Sequence, residues 1–237
     1  MKTELSLCID GSTIMCDQYG DIKNATIILL FCHGFPGSSR LVRLWDNLKN
    51  KSISIVEMNY RGDKKSEGKF SFLGSITDIK TVAIFLKEKY KVPLHALGYS
   101  MGGFYVSNII NKYPNIFEKV ILLNPVVDSM ALFSNKPLID ELWQHAKNIL
   151  SLNPTKTYKK ESVRIISDLN PMGFVENLKN NIIIIQSNSD EVLDPKLTKK
   201  FYSLLFGTKS YFELPNKTHD LMGDEKVLID AIKLNIN

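Results

Sequence analysis

The sequence is poor in the features that would announce several classes of protein. Cysteine occurs only three times in 237 residues, at Cys8, Cys16 and Cys32, and never in a C-x-x-C spacing, which argues against a disulfide framework and against a zinc site. So few thiols suit a reducing interior, and a cytoplasmic location is expected. No stretch approaches the roughly 20 apolar residues of a membrane-spanning helix. The N-terminal MKTELSLCIDGSTIMC lacks the apolar run of a secretory signal. Charge is not blocked either: the formal net charge of +5 comes from 30 basic and 25 acidic residues that are interleaved along the chain, so nothing calls for a nucleic-acid partner. There is no repeat of fixed period, no low-complexity segment and no metal-ligand spacing. Neither a metal nor a cofactor is expected, and the choice between monomer and homodimer stays open.

What is present is enough apolar material to fill a core. Hydrophobic residues make up 44% of the chain, and one domain over residues 1–237 is the expectation. Thr3 to Ile9 alternates apolar and polar, Asp10-Gly11 turns, and Thr13 to Cys16 completes a hairpin. Ala25 to Phe31, reading ATIILLF, is a continuous apolar run rich in β-branched residues, of the kind covered on both faces in a parallel sheet. Further strands are predicted at Ile53 to Met58, at Leu94 into the following turn, at Lys119 to Leu123, Ile182 to Ile185 and Ser210 to Leu214. Between them lie helical stretches: Leu41 to Leu48, Ser75 to Tyr90, the segment after Gly102, Pro195 to Leu205 and Asp224 to Leu234. The alternation implies an α/β fold, a mostly parallel central sheet of about eight strands with helices on both faces. One region departs from it. From about 126 to 179 the chain makes no core strand but is strongly amphipathic at helical spacing, and it reads as a small helical cap inserted over the carboxyl ends of the strands, where such sheets bind ligands.

The most informative stretch is LHALGYSMGGFYV, Leu94 to Val106: an apolar strand, a sharp turn on Gly98-Tyr99-Ser100-Met101-Gly102, and a helix. The five letters arise by accident in roughly one chain of this length in ten. The context of strand, turn and helix is what gives them meaning. A serine at such an apex has its hydroxyl above the sheet, beside the unpaired N–H groups and positive dipole end of a helix, where a developing oxyanion is stabilised.

A nucleophilic serine needs a base, and the base an orienting acid. Of the four histidines, His95 lies at the wrong end of its strand, His145 falls in the insertion, and His33 sits in the Cys32 to Gly37 loop, which it is expected to shape. His219, in a loop after the last strand, is the candidate base. Asp190, a short polar turn after the strand at Ile182 to Ile185, is the candidate acid, with Asp194 and Asp128 as alternatives. For oxyanion donors the N–H of Met101 follows the nucleophile, and the His33-Gly34-Phe35 loop offers the N–H of Phe35. Pro36 has none to offer. Trp45 and Trp143 are expected in packing roles, Tyr60-Arg61-Gly62 as a structural turn and Cys32 as a buried thiol.

His-Gly-Phe-Pro-Gly, then Gly-Tyr-Ser-Met-Gly-Gly, then Ser-Asn-Ser-Asp-Glu-Val-Leu-Asp-Pro, then Thr-His-Asp together resemble the α/β-hydrolase superfamily over nearly the whole chain. Within it they are similar to monoacylglycerol-lipase-like and cinnamoyl/feruloyl-esterase-like members, as is the Asn59 to Gly68 loop. The resemblance implies the α/β-hydrolase fold, with Ser100 as nucleophile, Asp190 as acid, His219 as base, and Phe35 and Met101 as oxyanion donors. Two residues depart from the pattern: Ser187, where a glycine is usual, and Asn59, where many relatives carry aspartate. The expected function is a serine hydrolase that cleaves a small-molecule carboxylic ester, of small to medium acyl or aromatic type, through an acyl-enzyme. A thioesterase or an aminopeptidase-like amidase is the nearest alternative, and a non-catalytic ligand-binding protein a more distant one.

Overall fold

The structure, a computed structural model, describes residues 2–37, 41, 44–50, 52–63, 65–152, 161, 164, 165, 167–221 and 225–236. Eight strands form one sheet: β1 (Lys2–Ile9), β2 (Ser12–Tyr19), β3 (Ile27–Cys32), β4 (Ile53–Met58), β5 (Leu94–Tyr99), β6 (Lys119–Leu123), β7 (Asn181–Ser187) and β8 (Lys209–Leu214). Their order across the sheet is β1-β2-β4-β3-β5-β6-β7-β8. The hairpin β1-β2 is antiparallel and β2 meets β4 antiparallel, while every other pairing is parallel. The second hairpin strand runs three residues beyond the expected Cys16, because Cys16 to Tyr19 pair with Met58 to Ile55 and gain a ladder there.

The parallel strands are apolar on both sides because helices cover both. Ile28, Leu30 and Cys32 of β3 face one core with Val120 and Leu122 of β6 and Ile182 and Ile184 of β7. Leu29, Phe31, Ile121, Leu123, Ile183 and Ile185 face the other, as the period of two requires. Helices α2 (Phe72–Tyr90) and α3 (Met101–Lys112) close the first face with α6 (Pro195–Leu204), and α1 (Trp45–Leu48) and α7 (Glu225–Ile236) close the second. Helix α2 starts three residues before the predicted Ser75, because Ser71 caps it, accepting from the Gly74 N–H at 3.0 Å. Two predicted helices include residues outside the described set, 42 and 43 before α1 and 224 before α7. The same is true of residue 64 in the Asn59 to Gly68 loop and of 153–160, 162, 163 and 166 in the long β6–β7 connection.

That connection carries helices α4 (Ser129–Ser134) and α5 (Lys136–Ile149), followed by two short 3₁₀ turns. The chain after α5 is tied to the loop following β4. Ser151 N–H donates to the Gly62 carbonyl at 2.6 Å and Phe70 N–H to the Ser151 carbonyl at 2.8 Å. The same loop is fixed from below: Arg61 forms a forked pair with the fully buried carboxylate of Asp78 on α2. The Tyr60-Arg61-Gly62 turn is thus a structural joint. Among the described residues no helix is long and apolar enough to cross a membrane.

Parallel register brings the carboxyl ends of the central strands level. Cys32 pairs with Gly98, Tyr99 with Leu123, Leu123 with Ile185, and Ser187 with Leu214. The loops after β3, β5, β6, β7 and β8 therefore emerge along one rim of the sheet.

Near the carboxyl end of β4, Glu57 is buried with Oε2 accepting from Trp45 Nε1 at 3.2 Å and Tyr19 OH at 3.3 Å. Its Oε1 has no partner among the described residues. Desolvation, with the nearby Asp17 carboxylate adding to it, pushes the Glu57 carboxyl up from 4.5 to about 7 in spite of the Trp45 hydrogen bond. A folded-state pKa above the unfolded one means that the protonated group contributes stability fully below 4.5, and that this is lost as pH rises to about 7. Urea unfolding across that window should therefore show the wild type losing stability relative to Glu57→Gln, and parallel profiles for the two proteins would count against it.

Candidate active site

Ser100 sits at the apex between β5 and α3 with φ 54° and ψ −118°, a conformation that costs an L-residue roughly 1–3 kcal/mol and persists only where the surroundings impose it. The surroundings here are explicit. Ser100 N–H donates to the Leu123 carbonyl at 3.0 Å, and the Ser100 carbonyl accepts from Gly103 N–H and Val126 N–H, each at 3.0 Å. The glycines allow the approach. A Cβ on Gly102 would lie 1.9 Å from the Cys32 carbonyl oxygen, and one on Gly98 would lie 2.8 Å from the Gly102 carbonyl oxygen. Helix α3 can start this close to β3 only because those side chains are absent.

The rim brings together three of the predicted residues. His219 Nε2 lies 3.0 Å from Ser100 Oγ, and His219 Nδ1 lies 2.8 Å from Asp190 Oδ2. A carboxylate can only accept, so Nδ1 carries the proton and Nε2 is left free to accept from the serine hydroxyl. The Asp190 side chain is fully buried. Its Oδ1 accepts from the N–H groups of Val192 and Leu193 at 3.0 and 2.8 Å, and Gln186 Nε2 reaches Oδ2 at 3.3 Å. Both alternative acids are occupied elsewhere: Asp194 caps α6 by accepting from Lys196 N–H at 2.9 Å, and Asp128 caps α4 by accepting from Ala131 N–H at 3.1 Å.

The loop after β3 lies directly against the serine, for a Cβ on Gly34 would come within 3.0 Å of Ser100 Cβ. His33 holds that loop. It is buried, its Nδ1 lies 2.8 Å from the Gly34 carbonyl, and its backbone carbonyl accepts from Tyr60 OH at 2.8 Å. Burial lowers its pKa and keeps the ring neutral. Met101 is the first residue of α3, so its N–H is one of the leading donors with no intrahelical acceptor. Of the other histidines, His95 is buried at the opposite end of β5, its Nε2 3.2 Å from the Ile236 carbonyl, and burial lowers its pKa too. His145 is an exposed residue of α5. Cys32 is buried and desolvation pushes its thiol well up, which leaves it unreactive. Trp45 is a core residue. Trp143 does more than pack: it stands with Phe35 and Phe72 at ring distances of 5.1 and 6.0 Å in the wall of a cavity that opens onto Ser100.

Sequence reading missed the groups that hold the His219 backbone. Its N–H donates to Glu191 Oε2 at 3.0 Å, and its carbonyl accepts from Tyr99 OH at 2.9 Å and Asn124 Nδ2 at 3.1 Å. The Tyr99 ring also stacks on the imidazole, 5.5 Å between centroids and 29° between planes. Asn124 is the hub. From φ 40° at the end of β6 it accepts from Ser187 N–H at 2.7 Å and donates to Ser187 Oγ at 2.9 Å. Ser187, which departs from the usual glycine, is therefore used. The only local signal for Asn124 was its residue type, since asparagine tolerates positive φ. Its partners are more than sixty residues away.

Three comparisons extend beyond the geometry. The family described as serine aminopeptidase, S33, matches residues 23–167, and that described as PhoPQ-activated pathogenicity-related protein matches residues 141–235. The first match spans more than half of the chain, and the chain belongs to that family of α/β hydrolases. A monoglyceride lipase homolog from monkeypox virus is 25% identical over 138 residues, 56% of this chain and 50% of that protein. The chain thus spans about half the length of the curated relative it matches. Among solved structures, Est1E from Butyrivibrio proteoclasticus superposes with a TM-score of 0.76 at 18% identity, covering 98% of this chain and 96% of that one. An alpha-beta serine hydrolase homologue from Coxiella burnetii gives 0.71 at 15%, with 99% and 97% covered. These likenesses establish the α/β-hydrolase fold.

Replacing Asn124 by glycine removes all three of its side-chain bonds, two to Ser187 and one to the His219 carbonyl, without straining the backbone. It leaves the buried Ser187 N–H without its acceptor, so urea unfolding should report a loss of about 2 kcal/mol. A variant as stable as the wild type would show that Asn124 does not join the two strand ends.

Proposed function

We propose that this member of the serine aminopeptidase, S33, family is a serine hydrolase that cleaves a carboxylic ester, with Ser100 as nucleophile, His219 as general base and Asp190 as the acid that orients it. The observation that carries the reading is the continuous relay from Ser100 Oγ through His219 Nε2 and Nδ1 to Asp190 Oδ2, with spacings of 3.0 and 2.8 Å. As Ser100 Oγ attacks the ester carbonyl, its proton passes to His219 Nε2. The imidazolium that forms is stabilised by the buried Asp190 carboxylate. Negative charge gathers on the carbonyl oxygen, for which the N–H groups of Phe35 and Met101 are the assigned donors, each typically worth about 3 kcal/mol in the transition state. Collapse expels the alcohol, protonated by His219. Water, deprotonated by the same ring, then releases the acid from Ser100. The connection between β6 and β7 acts in this reading as a helical cap that selects what reaches the serine.

An amide follows the same path but has a poorer leaving group, which must be protonated before it departs. The description of the family favours this second reading, and the viral relative favours the ester.

Ser100→Ala should lower hydrolysis of p-nitrophenyl esters by at least about 10³-fold. A fluorophosphonate probe should label the wild type at Ser100 and leave the variant untouched. Turnover surviving in Ser100→Ala, or a folded wild type that takes no label, would overturn the assignment. Comparing p-nitrophenyl esters with p-nitroanilides under the same conditions decides between ester and amide.

A further inference from the structure

Ser100 opens onto two cavities of different character. One is an apolar chamber of about 90 Å³, walled by Val126, Phe133, Ile139 and Trp143 from the β6–β7 connection and by Phe72 of α2. The other is a cleft of about 690 Å³ bordered by Asp63, Glu141, His145 and Asp220. Ser100, His219, Phe35 and Leu142 line both, so a substrate whose carbonyl rests on Ser100 must place one half in each.

We infer that the assignment of the two halves is fixed: the acyl group enters the apolar chamber, which limits it to a short chain, and the leaving alcohol lies in the wide cleft and is polar. This rests on the ester-hydrolase reading above. Three observations lead to it. The first is size, since an apolar cavity of ~150 Å³ takes up a benzene ring, and the chamber, at about 90 Å³, is smaller. It suits an acyl chain of a few carbons better than an aryl one. The second is desolvation: an alkyl chain laid across Asp63, Glu141 and Asp220 would strip water from carboxylates without replacing their hydrogen bonds, whereas a hydroxylated alcohol replaces them. The third is the order of departure. The bond from Ser100 to the acyl carbon forms first, its proton going to His219; collapse of the tetrahedral intermediate then breaks the ester C–O bond, His219 protonates the alcohol, and the alcohol must leave before water can arrive. The chamber, lined by the buried Phe72, Val126, Phe133 and Ile139, is more enclosed than the cleft, and the group that stays covalently bound belongs there. The cleft reaches solvent past the exposed Glu141 and His145, which opens a path out for the alcohol and in for water.

The test uses two substrate series on the intact protein: acetyl, butyryl and octanoyl monoesters of glycerol, and butyrate esters of ethanol, octanol and glycerol. With glycerol constant, kcat/KM should fall at least about tenfold from butyryl to octanoyl, within the range that methylenes in an apolar pocket command. With butyryl constant, glycerol should be preferred to octanol. Ile139→Ala, which widens the chamber, should raise the octanoyl-to-butyryl ratio at least about threefold. A flat dependence on acyl length, a preference for octanol, or an unchanged ratio in the variant would overturn the inference. If that happens while the esters are hydrolysed and Ser100 takes the fluorophosphonate label, the hydrolase reading stands without it. If no ester turns over and no label forms, both fall.

Discussion

The site depends on how closely helix α3 approaches strand β3. Gly102 lies where a single methyl group would run into the Cys32 carbonyl, and that contact sets the height at which the β5–α3 turn crosses the rim. With the turn pressed down, Ser100 has no conformation open to it but the strained one at φ 54°. Its backbone is then held by Leu123, Gly103 and Val126. The strain is repaid by those bonds and by the packing of Phe104, Val106, Ile109 and Ile110 into the core. The hydroxyl is left projecting over the sheet because its backbone is fully used below.

The same rim organises the partners. Parallel register levels the ends of β5, β6, β7 and β8, so that loops leaving them meet without long excursions. Asn124 joins the first residue beyond β6 to the last of β7, and also reaches the His219 loop after β8. Tyr99, immediately before the serine, bonds the His219 carbonyl while its ring lies against the imidazole. The histidine is therefore held through its backbone by residues from the ends of neighbouring strands, and through its ring by Asp190. An imidazole fixed from both sides loses little entropy when it engages the serine.

The β6–β7 connection contributes shape. Its helix α5 carries Ile139, Leu142 and Trp143 on one side and Glu141 and His145 beside them, so one helix supplies the apolar wall of the chamber and the polar border of the cleft. Its far end is anchored at Ser151 to the loop after β4, and that loop is fixed to α2 through Arg61 and Asp78. The helix that divides the space above Ser100 is thus tied, through that loop, to the buried Asp78 carboxylate.

Much of this was legible in the chain. Continuous apolar runs such as Ala25 to Phe31 announce strands covered on both faces, and the glycines around Ser100 announce a turn too tight for side chains. Both are local properties, written in residues a few positions apart. The order of Ser100, Asp190 and His219, each after a strand, was equally readable, since a parallel sheet sends the ends of its strands to one rim. Three things were not. Trp143 read as packing, and only the fold puts it in the wall of the chamber. Asp194 and Asp128 stood as alternatives to Asp190 until helix caps were seen to occupy them. Glu191 and the use of Ser187 gave no signal, and Asn124 only that of its residue type, because their partners are distant in sequence and no periodicity links them. The sequence by itself determined the elements, the sheet class and the residue types at the rim, for these follow from backbone sterics and hydrophobic period. The tertiary structure alone decided which side chains meet, how the histidine is held and how the space over the serine is divided, because such contacts exist only once chain segments more than sixty residues apart have been brought to one edge.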